Sequence, residues 1–156
     1  MGIKKRILSA AVCASMLVAA AVPAYGATKI TIDNRNPYEE PILIRATCYT
    51  SDEGAITYSG QEVRNGIIAG KNDWLGSVAL LYSIKIEDGM KVPGELIGIY
   101  EVLDTGAGID IDGDGKGDTI PAGQSIDVFQ ETEDLADEWI ATYGDYVMLK
   151  LVNGKG

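Results

Sequence analysis

From residue 41 onward the chain is a succession of short apolar runs rich in β-branched and aromatic residues, most of them bounded by Gly, Asn, Asp or Pro. Pro41–Thr50 (PILIRATCYT), Ser77–Ile86 (SVALLYSIKI), Glu95–Asp104 (ELIGIYEVLD), Ser125–Gln130 and Tyr146–Val152 are of this kind. Runs of that length and composition between turn formers read as strands. One helix is expected, over Glu133–Tyr143, where Leu135, Ala136, Trp139, Ile140 and Tyr143 recur at helical spacing. Thr132 is placed to cap it, Glu133 and Asp134 suit its first turn, and Gly144 closes it. Many short strands, little helix and 19 glycines predict an all-β chain with one short helix near the C-terminus, arranged as a compact barrel rather than a parallel α/β sheet.

Residues 1–26 (MGIKKRILSAAVCASMLVAAAVPAYG) have a basic start at Lys4, Lys5 and Arg6, an apolar run from Ile7 to Val22, and small residues at Ala24 and Gly26. This is the pattern of a secretory signal peptide cleaved before Ala27, with an uncleaved anchor as the alternative. The run is on the short side of the roughly 20 residues that a membrane span needs, and no second one follows. Val12 is a poor residue before a lipidated Cys13. The expected organisation is therefore a leader at 1–26, a polar lead-in at 27–40 with at most one short strand over Lys29–Asp33, and one domain at 41–156. A secreted monomer exported from a Gram-positive-type cell fits this layout.

Without the three basic residues of the leader, 10 Lys and Arg face 23 Asp and Glu, a net charge of −13. That argues against nucleic acid or an anionic membrane surface as partner, since both require a basic footprint. The chain has no histidine. Ser-His-Asp triads, Cys-His pairs, His-ligated zinc and imidazole bases are all excluded, leaving carboxylates, Lys, Tyr or Cys to move protons. Cys48 is the one cysteine beyond the leader; it has no disulfide partner in the mature chain and reads as a small core residue.

Two acidic positions interrupt apolar strands. Asp104-Thr105-Gly106-Ala107-Gly108 lies where the run Ile97 to Leu103 enters a Gly-rich loop, and Asp127 sits within Ser125-Ile126-Asp127-Val128-Phe129. Strand alternation puts Asp127 on the face opposite Ile126 and Val128, together with Ser125 and Phe129. On pattern alone this is a solvated acid on a half-buried strand. If that face instead looks into a groove, apolar surroundings and a second acid would raise its pKa, as a general acid requires.

Ala46-Thr47-Cys48-Tyr49-Thr50, Gly60 through Ile67-Ile68-Ala69, Leu75-Gly76-Ser77, Asp104-Thr105-Gly106 and Ile126-Asp127-Val128 occur in the order of the motifs of the 3D (three-aspartate) domain family, which this chain resembles over about residues 42–152. The resemblance implies a six-stranded double-psi β-barrel, similar to the catalytic domain of membrane-bound lytic transglycosylase A, and cleavage of peptidoglycan glycan strands without hydrolysis. It implies that Asp127 is the catalytic acid/base and that Asp104 sits beside it, with Thr105 and Gly106 at the substrate. The chain departs from the pattern in two places. The family's first aspartate, in an A-x-D-P turn, has only the displaced Asp73 as counterpart, and the loop after Asp104-Thr105-Gly106 is replaced by an insertion.

That insertion places Asp110, Asp112, Asp114 and Asp118 at positions 1, 3, 5 and 9 of a Gly-rich turn, with Gly115 at position 6. The spacing is that of a calcium loop. Pro121 stands where an EF-hand needs a bidentate Glu, and no helices flank it. The loop reads either as a Ca²⁺ site or as a solvated acidic loop. Tyr49 and Trp74 each read as a sugar-stacking or a core residue, with core the favoured reading for Trp74. The expected activity is lytic transglycosylase cleavage of the MurNAc–GlcNAc bond, with no cofactor needed for catalysis. The rival is a non-catalytic glycan-binding module in the same groove, and a third reading is a calcium-dependent adhesion or structural domain.

Overall fold

The computed structural model describes Asp33 and residues 35–153. The leader and nearly all of the Lys29–Asp33 segment lie outside the described residues; Asp33 itself is not in a strand. Six strands form a single sheet: β1 (Ile42–Tyr49), β2 (Ile67–Ala69), β3 (Ser77–Glu87), β4 (Met90–Asp104), β5 (Ser125–Phe129) and β6 (Tyr146–Asn153). Their pairing order is β1-β5-β2-β4-β3-β6, and β6 pairs back to β1, so the sheet closes. β1 with β5 and β2 with β4 are parallel; the other pairings are antiparallel. Among the described residues the chain is thus mostly β with one α-helix, α1 (Glu133–Tyr143), as its sequence predicts.

The helix begins and ends for the expected reasons. The Thr132 hydroxyl accepts from Leu135 N, and Gly144 (φ 79°) sends its N–H to Ile140 O, a left-handed closure that suits glycine. Alternation sorts the strand residues into two sets. Ile42, Ile44, Ala46, Ile126, Val128, Val102, Val147, Leu149 and Leu151 enter one core with Trp74 and Trp139. A smaller cluster of Ile67, Leu103 and Phe129 forms on the other face of the sheet, with Tyr49 and Val63 against it.

Three strands depart from what the periodicity shows. β2 is only three residues long and buried throughout, so it has no alternation to detect. β3 and β4 run on into one long hairpin closed at Asp88-Gly89, both with positive φ (51° and 77°). That dipeptide is the sequence signal for a two-residue hairpin turn. The lead-in is tied down as well: Leu151 N donates to Pro37 O, and the Tyr38 hydroxyl meets Ser77 Oγ at 2.6 Å.

Candidate functional site

Register brings the two predicted acids to one level of the sheet. Thr47 of β1 lies opposite Asp127 of β5, Asp127 lies opposite Ala69 of β2, and Ala69 lies opposite Asp104 of β4. The last pairing depends on an irregularity. Ile68 pairs with Val102, but Ala69 pairs with Asp104 rather than Leu103. An extra residue of this kind re-aims the side chains that follow it, and here it sets Asp104 in the row with Asp127 while Leu103 stays in the apolar cluster.

Asp127 is half-buried between fully buried Ile126 and Val128. Its carboxylate accepts a hydrogen bond from the Thr47 hydroxyl. Burial raises its pKa above the ordinary carboxylate value of 3.8. The expected contribution from a second acid is absent, because desolvation alone causes the shift. Gly106 passes close to this carboxylate: a Cβ there would lie 4.0 Å from Asp127 Oδ2 and 3.2 Å from Ile120 Cδ1. The Asp-Thr-Gly corner therefore has glycine where the backbone approaches the acid.

Asp104 is held differently. It accepts from the Tyr49 hydroxyl at 3.2 Å and from the backbone N–H groups of Tyr58 and Thr105, each at 2.9 Å. Ser59 adds two bonds to Leu103 O, from its N at 3.1 Å and its Oγ at 2.6 Å. The end of β4 thus clips the 51–66 loop in place. Tyr49 packs edge-on against Phe129 at 5.4 Å. Its phenol is pushed well above the usual value by burial and by the charges of Asp104 and Asp127, so it is a hydrogen-bond donor here and not a base. Cys48 is pushed up to about 11 by burial and then by Asp127, which makes it inert as a nucleophile at neutral pH.

Asp73 does not join this group. It sits on a single 3₁₀ turn (Asn72–Trp74), exposed, with Lys71 Nζ at 3.0 Å. Trp74 beside it is core. Of the four loop acids, Asp110, Asp112 and Asp118 bring carboxylate oxygens within 4.8 Å of one another. Asp114 is outside that group; it accepts from Lys116 N and lies 3.7 Å from Lys116 Nζ. Thr47 and Tyr58, the second with its N–H on Asp104 and its side chain exposed, had no role assigned from sequence. The hydroxyl of Thr47 is legible only once β1 and β5 are known to pair in parallel. A cavity of about 530 Å³ opens elsewhere, between Asn65, Gly76, Tyr100 and Glu101, and holds none of the predicted site residues.

No helix among the described residues is long and apolar enough to cross a membrane. Comparison of the chain with protein-family models, curated proteins and solved structures returns no match to any of the three.

The Asp127 shift has a consequence for stability. A carboxyl that titrates higher in the folded state than in the unfolded one holds its proton longer when folded. Its contribution is therefore greatest at low pH and is lost as pH rises through the raised value. Asp127→Asn stays neutral at every pH. In thermal melts it is expected to be more stable than the wild type at pH 7, with the gap closing toward about pH 3. A wild type at least as stable as the variant at pH 7 would contradict the burial of this carboxyl.

Proposed function

We propose that this protein is a secreted enzyme of the cell wall that cleaves peptidoglycan glycan strands as a lytic transglycosylase, with Asp127 as its single acid/base. The observation that carries this reading is a half-buried carboxyl with a raised pKa, set in one row with a second, fully hydrogen-bonded acid. The closed six-stranded sheet with two parallel pairings supports assignment as a double-psi β-barrel, and so does the order of motifs shared with the 3D domain family.

An ordinary glycosidase needs two carboxylates, one as acid and one as nucleophile or water-activating base. Non-hydrolytic cleavage needs only one. Protonated Asp127 gives its proton to the glycosidic oxygen as the bond to muramyl C1 breaks. The 6-hydroxyl of the same muramyl ring then attacks C1 and returns its proton to the carboxylate. The products are a 1,6-anhydro end and a free 4-hydroxyl, and the acid is regenerated without water. Burial raises the Asp127 pKa, which favours the protonated form that the first step uses. Thr47 orients its carboxyl, while Asp104 holds Tyr49 and the 51–66 loop at the site. Gly106 lines the approach to the acid, and Thr105 is tied by its N–H to Asp104.

Purified peptidoglycan digested with the chain from residue 27 onward, and with Asp127→Asn in parallel, tests this by mass spectrometry. Soluble 1,6-anhydromuramyl fragments are expected from the first, and a loss of at least about 100-fold from the second. Reducing-end products would mean hydrolysis and overturn the mechanism. No products from either, with the protein retained on insoluble wall, would establish the non-catalytic binding module instead.

The convergence of Asp110, Asp112 and Asp118 favours calcium as a structural adjunct of this domain, held by three of the four predicted ligands. Hard oxygen donors in a Gly-rich turn suit Ca²⁺ at extracellular concentrations. Millimolar Ca²⁺ is expected to raise the melting temperature by a few degrees through preferential binding to the folded chain, and Asp110→Asn to remove the effect. A melting temperature unmoved by Ca²⁺ and by chelator would rule the site out.

A further inference from the structure

Three arginines lie among the described residues. Arg35 pairs with Asp33 and Glu40, and Arg64 pairs with Glu101. Arg45 has no acid within 4.0 Å of its guanidinium among the described residues, although acids outnumber bases in the chain 23 to 13. It is half-buried, and its Nε is buried with no hydrogen-bond acceptor. Buried donors in native structures nearly always have partners, so an orphan of this kind calls for one.

Its position says what that partner is near. Along β1, Ile44 and Ala46 enter the core, which leaves Arg45 on the face with Thr47. Thr47 donates to Asp127, and the β1–β5 register sets Arg45 opposite Ser125, two residues from Asp127 on the same face of β5. At about 3.3 Å per strand residue, Arg45 starts some 7 Å from the Thr47–Asp127 pair. It is not the partner of Asp127, whose shift comes from burial alone.

We propose that Arg45 is a specificity residue that binds a carboxylate of the glycan substrate beside the cleaved bond. Its guanidinium presents a planar fork that matches a carboxylate in two-point contact. The inference rests on the peptidoglycan reading of the site. It adds that the site distinguishes muramyl from neutral sugars by charge. The carboxylate comes either from the lactyl ether of a muramyl residue or from an attached peptide.

Calorimetric titration of wild type, Arg45→Gln and Arg45→Lys with three ligands separates these sources: neutral chitobiose, GlcNAc–MurNAc with a free lactyl carboxylate, and GlcNAc–MurNAc carrying its peptide. Wild type is expected to bind an acidic ligand about tenfold tighter than chitobiose, the equivalent of one charge-assisted contact. Preference for the free disaccharide assigns the lactyl group; preference confined to the peptide-bearing one assigns the peptide. Arg45→Gln is expected to lose the preference with chitobiose affinity unchanged, which also reports that it is folded. Arg45→Lys, the fallback if Gln unfolds, is expected to lose at least about half of the logarithmic gain, since it keeps the charge without the fork. A preference that survives in the folded variant, or a wild type that binds neutral and acidic ligands alike, overturns the role of Arg45 and leaves the glycan site standing. A wild type that binds none of the three overturns the glycan reading itself.

Discussion

Four strands meet at one level of the closed sheet, and the candidate site depends on their register. Thr47, Asp127, Ala69 and Asp104 stand in a row across β1, β5, β2 and β4. A slip of one residue in β5 would turn Asp127 into the core and Ile126 and Val128 out of it. Those two side chains are fully buried, so the hydrophobic effect that packs the core also holds the acid on its own face. The bulge between β2 and β4 completes the row. Without it Leu103 would occupy the level that Asp104 holds.

Within the row the two acids have different surroundings. Asp104 is satisfied by a phenol and two backbone N–H groups, and its part is to fix Tyr49 and the loop that follows β1. Asp127 has one hydroxyl partner and apolar neighbours, so little compensates its charge for lost water. On the proposed reading, the unlike environments divide the labour between the two acids, one positioning and one moving the proton. The cost of keeping Asp127 half-buried falls on the stability of the fold.

Much of this was legible in the sequence, because the physical signals were local. Five of the six strands and the helix follow from composition, alternation and caps. The isolation of Asp127 between Ile126 and Val128 is visible without coordinates. What was not legible depends on contacts distant along the chain. β2 is too short and too buried to alternate, yet it carries Ala69, the residue that joins the two acids in register. The cause of the Asp127 shift was expected to include a neighbouring acid, and burial alone supplies it. Asp73 looked close to the motif in sequence, but its turn directs it to Lys71 and solvent. Asp114 matched the calcium spacing, but it turns aside beside Lys116 while the other three acids converge.

The central claim is that register and burial together make Asp127 an acid that keeps its proton above the ordinary carboxylate range. Carbon-detected NMR of the side-chain carboxyls, titrated with pH in the folded chain and assigned by comparison with Asp127→Asn, measures this directly. The Asp127 resonance is predicted to titrate with a midpoint above 3.8. A midpoint at or below that value would mean a solvated carboxylate on the barrel surface and would contradict the account.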